Sequence, residues 1–309
     1  MTSGPFVVVG EALVDIVVPV EGPQVTAPGG SPLNVAVGLA RLDIDTVLVT
    51  QLGDDEHGHL IARHVAASNV QLSEGALDAE RRTNTATARL DENHAATYDF
   101  DLTWDLPPHR LPEGTVGLHV GSLGAALRPG RHAVLDLVSQ VEEGFVSYDP
   151  NVRPAFVADP AHAWRDLVEV AGLARLVKCS AEDLEALRPG EQEEALVREL
   201  LTRETELVVV TNGGQGASAR TRTQRVDVPA PPTQVVDTVG AGDSFMAALL
   251  AALTDWGLMS AGEGSLEALD EDHLRLLLQG AVVAAAVTCS RRGANPPTRR
   301  ELPPTWPVA

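Results

Sequence analysis

Asp237-Thr238-Val239-Gly240-Ala241-Gly242-Asp243-Ser244-Phe245, followed at once by the apolar run Met246 to Leu253, decides how this chain is read. Two glycines flanking Ala241 let backbone N–H groups turn toward one point, and the helix that begins there adds the positive end of its dipole. The segment predicts an anion cradle at Gly240, Ala241 and Gly242. Asp243 falls in the first helical turn, where a carboxylate serves either as a general base or as an ordinary helix-terminal charge. A dinucleotide fingerprint does not fit, because the position of its third glycine holds Phe245.

A second glycine-rich start lies far upstream, at Gly29-Gly30-Ser31-Pro32-Leu33-Asn34-Val35-Ala36. Ser31 is expected as N-cap with Pro32 at the first helical position. Gly29-Gly30 admits a ligand close to the backbone, and Asn34 offers donors and an acceptor at the same mouth. Asp15, at the end of Gly10-Glu11-Ala12-Leu13-Val14-Asp15, adds a carboxylate able to accept two hydroxyl hydrogen bonds. Polar groups of this kind beside a glycine-lined surface suit a sugar.

Between the two segments, short apolar runs alternate with helical patterns. Strands are expected at Phe6 to Val9, Thr46 to Gln51, Gly117 to Val120, Phe145 to Tyr148, Leu176 to Cys179 and Leu207 to Thr211. Helices are expected at Leu33 to Leu42, Gly58 to Ala67, Arg131 to Glu142, Ala163 to Ala171, Glu191 to Thr202, Ser244 to Thr254 and Asp272 to Ser290. This pattern predicts a doubly wound, mostly parallel α/β sheet. Ile16 to Val25 and Thr83 to Leu102 break the alternation; they are rich in β-formers, the latter around the turn Asp91-Glu92-Asn93, and read as a small separate sheet.

Composition narrows the function. The 309 residues carry a formal charge of −20, which disfavours nucleic acid and anionic membranes as partners. Among the 23 basic side chains only Lys178 is a lysine. It sits in Leu176-Val177-Lys178-Cys179, so no G-x-x-x-x-G-K-[ST] phosphate loop exists. Cys179 and Cys289 lie far apart with no C-x-x-C, which argues against a disulfide framework or thiolate zinc site. The apolar run Leu276 to Ser290 is short for a bilayer span, and no basic leader precedes the first strand, so a cytoplasmic protein is expected. His57, His59 and His64 read as solvated surface, and Arg291, Arg292, Arg299 and Arg300 as a salt-bridged one.

The two signatures, in this order and on this alternating background, resemble those of the ribokinase-like (PfkB) carbohydrate kinases over essentially the whole chain. The resemblance implies a ribokinase-like α/β domain over residues 1–309, with segments 16–25 and 83–102 as a β-sheet lid. It implies ATP-dependent phosphorylation of a sugar hydroxyl with Mg²⁺, in many members K⁺, and a homodimer clasped through the lids. Carried over residue by residue, Asp243 resembles the general base and Gly240, Ala241 and Gly242 the anion hole. Asp15, Gly30, Asn34 and Arg153 resemble sugar contacts. Thr211, Asn212, Gly213 and Gly216 in TNGGQG, with Asn295 in GANPP, resemble nucleotide loops, and Asp237 the anchor of a monovalent-cation site. Where many members have N-x-x-E, associated with magnesium and phosphate, this chain has Ser180 and Asp183; Asp183 keeps a carboxylate for metal-bound water, and Lys178 beside it is a cation able to meet a phosphate.

Gly29-Gly30-Ser31-Pro32, GEALVD and Asp149-Pro150-Asn151-Val152-Arg153 resemble the fructokinase and 2-keto-3-deoxygluconate kinase branches, with fructose the first expectation. Ribose or nucleoside phosphorylation, and a non-catalytic sugar- or nucleotide-binding sensor on the same fold, are the alternatives.

Overall fold

A computed structural model describes residues 4–91, 96–141, 144–202, 204–259, 265–303 and 306. Along the chain the elements are β1 (Phe6–Val9), β2 (Leu13–Val18), β3 (Val25–Gly29), α1 (Ser31–Arg41), β4 (Thr46–Val49), β5 (Leu52–Gly53), α2 (Glu56–Ala67), β6 (Gln71–Leu72), β7 (Leu77–Asp78), β8 (Asn84–Leu90) and β9 (Ala96–Asp101). Then follow β10 (Gly117–Gly121), α3 (Ser122–Ala126), α4 (Arg131–Ser139), β11 (Phe145–Asp149), α5 (Pro160–Ala171), β12 (Leu176–Ser180), α6 (Ala181–Leu187), α7 (Glu193–Leu200), β13 (Leu207–Thr211), β14 (Ala217–Arg220), β15 (Arg225–Val228), α8 (Ala241–Asp255) and α9 (Glu271–Cys289).

The main sheet has nine strands in the order β15-β14-β13-β12-β11-β10-β1-β4-β6. It is parallel from β6 through β13 and closes with the antiparallel hairpin β14–β15. Its inner strands are rich in apolar residues because both faces are covered, and polar residues within them such as His119, Ser147 and Lys178 are buried too. Side chains alternate between the two covered faces. Phe6 and Val8 enter one buried cluster with α1, α8 and α9, whereas Val7 and Val9 enter the other with α4 and α5. By length and composition α9 could cross a bilayer, but here it is a core helix that buries Leu274, Leu277, Leu278, Ala281 and Ala284.

The strand order reverses between β1 and β10, the position at which open α/β sheets form a ligand crevice at their carboxyl ends. Over that edge stands a four-stranded sheet, β3-β2-β8-β9. The small sheet therefore exists as expected, with shifted bounds. Its first strand already starts at Leu13, and 16–25 holds the end of one strand, a turn and the first residue of the next. Glu92, Asn93 and Glu142 lie outside the described residues.

Several elements were not anticipated, among them the two-residue strands β5, β6 and β7, too short to leave an apolar run. The hairpin β14–β15 is short and at the sheet edge, so it lacks a long apolar run. Helix α3 follows β10 without a break. Helix α6 is announced by Ser180-Ala181-Glu182-Asp183, a reciprocal capping box in which Ser180 Oγ accepts the Asp183 amide and Asp183 accepts the Ser180 amide.

Candidate active site

The site is assembled by the crossing of α1 and α8. Ser31, Asn34 and Gly38 fall on one stripe of α1, and Asp243 and Ala247 on one stripe of α8. A Cβ on Gly38 would approach Ala247 Cβ to 2.6 Å, so glycine is what lets the helices cross this closely. Their N-termini then meet. Ser31 Oγ donates to Asp243 Oδ1 at 2.6 Å and Asn34 Nδ2 to Asp243 Oδ2 at 2.8 Å. The expected N-cap role of Ser31 is thereby corrected. Gly30, at φ 106°, occupies the cap, Ser31 is the first helical residue, and its hydroxyl is spent on a buried carboxylate that needs a donor.

Asp243 is 7% exposed. Burial raises its pKa, opposed by the bonds from Ser31 and Asn34 and by the charge of Lys178. A carboxylate tuned this way, at the rim of an amide cradle, can take a proton from a hydroxyl. Gly240 turns the chain in the left-handed region at φ 75°. A Cβ there would lie 2.9 Å from Ala294 Cα, so the GANPP segment packs against the turn. Within it the Ala241 amide donates to the Thr238 carbonyl at 3.2 Å. The Gly242 and Asp243 amides open the first turn of α8, where N–H groups have no helical acceptor.

Lys178 lies directly beneath this turn. A Cβ on Gly242 would be 3.1 Å from its Nζ. The ammonium donates to Asp149 Oδ2 at 2.7 Å, both groups being buried. Burial works against the charged lysine, but Asp149, with Asp183 and Asp243 behind it, more than offsets that and raises its pKa. Lys178, expected as a cation able to meet a phosphate, has a carboxylate partner, and its Nζ stands beside Gly242 of the cradle. Asp149 was not singled out from sequence. Its other oxygen accepts the Asn151 amide at 3.1 Å, which fixes the start of the loop that carries Arg153.

Asp183 also holds this loop. Its Oδ1 accepts the Val152 amide and its Oδ2 the Ser180 amide, both at 2.7 Å. Among the described residues no group of three or more His, Cys, Asp or Glu side chains forms a metal cluster.

On the opposite wall, Asp15 lies so close to Gly29 that a Cβ there would come within 2.1 Å of Oδ2. Burial raises the Asp15 pKa, and Arg153 lowers it. A Cβ on Gly30 would strike the Glu11 carbonyl at 2.6 Å. Arg153 thus acts electrostatically on Asp15, and Asn34 Nδ2 holds Asp243.

The expected nucleotide residues lie at the carboxyl ends of β12 and β13. Thr211 Oγ1 donates to the Cys179 carbonyl at 3.4 Å, and Asn212 to Gln215 form an exposed turn, with Gly213 at φ 47°, that ends on the buried Gly216 at φ 110°. Asn295 accepts a bond from Arg41 on α1 at 2.5 Å. Asp237 ties the cradle to the C-terminal segment, accepting the Val239 amide at 3.1 Å and the Gly293 amide at 2.8 Å.

Residues 6–300 match the model of the pfkB family carbohydrate kinases. The chain is 35% identical over 267 residues to a fructokinase of Klebsiella pneumoniae, covering 83% of this chain and 86% of that one. The structure of a fructokinase from Xylella fastidiosa with bound ATP superposes with a TM-score of 0.82 at 25% identity, covering 94% of this chain and 93% of that one. A fructokinase from Vibrio cholerae O395, in a fructose-, ADP- and calcium-bound form, gives 0.77 at 26% identity over 95% of both chains. The chain belongs to the pfkB family of carbohydrate kinases, has the ribokinase-like fold, and is an ATP-dependent sugar kinase.

Proposed function

We propose that the sugar is fructose and that Asp243 is the base that activates it. The observation that carries the reading is the buried Asp243 carboxylate, held by Ser31 and Asn34 at the mouth of the amide turn. Asp243 takes the proton of the sugar hydroxyl as its oxygen attacks the γ-phosphorus; the bond to the β-phosphate oxygen breaks and ADP leaves. Gly240, Ala241 and Gly242 orient the transferring group, with the Gly242 amide and Lys178 stabilising its charge. Asp15, Gly30, Asn34 and Arg153 contact the sugar, and Asn34 also holds Asp243 through its Nδ2. Thr211, Asn212, Gly213, Gly216 and Asn295 flank the nucleotide.

The bound states of the two solved fructokinases support ATP as phosphoryl donor. Mg²⁺ fits the acidic surroundings of Asp183 through water, because both Asp183 oxygens already accept backbone amides; when bound it would neutralise phosphate charge. Asp237, which accepts the Val239 and Gly293 amides, is the anchor of a K⁺ site. The exposed apolar face of the small sheet supports a homodimer, and two unpaired cysteines are in keeping with a cytoplasmic enzyme.

An assay of ADP release from Mg²⁺-ATP over fructose, 2-keto-3-deoxygluconate, ribose and nucleosides tests the substrate. Fructose should give the highest kcat/KM; turnover confined to another member of the panel would replace it.

A further inference from the structure

The strands on either side of the reversal, β1 and β10, lead into two residues that phosphoryl transfer leaves unused. Glu11, just beyond β1, is 3% exposed, and its Oε2 accepts the Gly124 amide at 2.7 Å. One side chain therefore ties the end of β1 to the turn after β10. Ser122, which begins that turn, is 2% exposed and holds a left-handed φ of 51°. For a non-glycine residue such a backbone persists only where its surroundings over-determine it, and it occurs often at ligand sites. The buried Ser122 hydroxyl faces the Glu11 carboxylate and opposes the effect of burial on it. The glycine step of the sugar mouth packs on the Glu11 backbone, since a Cβ on Gly30 would come within 2.6 Å of its carbonyl. Arg153 acts electrostatically on both Glu11 and Asp15.

We propose that Glu11 is a positioning residue for sugar binding: its carboxylate pins the Ser122–Gly124 turn and draws Arg153 toward the Asp15 wall, strengthening sugar affinity without entering the transfer step. This rests on the reading of Asp15 and Arg153 as sugar contacts. Glu11 is faced by Ser122 and the Gly124 amide from the β10 side, by its own backbone, and by Arg153 from the loop after β11, the one charged group among them. Burial outweighs these and lifts its pKa to about 7. Acidification through that value removes the charge that attracts Arg153, so affinity falls as pH is lowered.

The test is calorimetric titration with fructose at pH 8 and pH 6, for the wild type, Glu11→Gln and Arg153→Gln. The wild type should lose about three- to tenfold in affinity between the two, the order expected when a charge-assisted contact is neutralised. Glu11→Gln should bind weakly at both pH values with no such dependence, while kcat at saturating fructose stays within about twofold of the wild type. The amide keeps an acceptor for Gly124 and offers a donor to Ser122, so the variant should fold. A folding check has a defined sign. The native state holds the Glu11 proton more tightly than the unfolded chain, so the wild type loses stability as pH rises from 4.5 to about 7, and Glu11→Gln does not.

Glu11→Gln with wild-type affinity and pH dependence overturns the proposal while leaving the sugar reading intact. Arg153→Gln with wild-type affinity overturns both the Arg153 assignment and the proposal built on it. If the wild type does not bind fructose, the substrate reading is the one that fails, and the same titrations with the sugar turned over in the panel decide the role of Glu11.

Discussion

The α1–α8 crossing and the small sheet bound the same crevice and are built in opposite ways. At the crossing, Ser244 to Leu253 are all buried and Asp243 is fixed by two side chains from another helix. In the small sheet, Tyr98 is 62% exposed and Val25 58%. Its tie to the body includes the edge contact of Phe100 with Phe156, ring centroids 5.1 Å apart. The helices that carry Asp243 are close-packed along their contact, whereas the small sheet keeps an apolar face exposed.

Asp243→Asn should separate the two ends most sharply. Loss of the base should lower kcat by roughly 10² to 10⁴ while fructose affinity, measured calorimetrically, stays near the wild-type value. Lys178→Met comes next. Stranding the buried Asp149 carboxylate should cost about 3–5 kcal/mol in denaturant unfolding. Adding Asp149→Asn should recover most of that stability, yet the double variant should keep kcat depressed by about 10²-fold, because the cation beneath Gly242 is still missing. Full recovery of turnover would reduce the pair to a structural one. The smallest effect is expected in the sheet: Tyr98→Ser with Val25→Ser should change unfolding stability by less than about 1 kcal/mol while sedimentation shifts from dimer to monomer. A wild type that sediments as a monomer would mean that the apolar face has another purpose.

Legibility in the sequence followed the same division. The central strands could be read because a strand covered on both faces is rich in apolar residues, and Leu207–Thr211 has the expected bounds. The glycine turn before α8 was legible because its meaning is local. What escaped depends on contacts distant in the chain. Nothing near Ser31 or Asn34 reveals that both donate to a carboxylate more than 200 positions away. Lys178 was noticed as a lone lysine, but its partner Asp149 lies on the neighbouring strand, and pairing across parallel strands leaves no local pattern. Glu11 looked like one more residue of GEALVD until β10 brought Gly124 to it. Ser180 and Asp183 carry a local signal of their own, the capping box that starts α6.

The central claim is that Asp243 acts as base in an environment set by Ser31 and Asn34, and the pH dependence of kcat in Ser31→Ala tests it most directly. Burial raises the Asp243 pKa and the Ser31 bond lowers it, so removing the hydroxyl should raise it further. The acid limb of kcat, where protonation silences the base, should move to higher pH, and much of the lost rate should return on the alkaline plateau. An acid limb at the wild-type position would contradict the account.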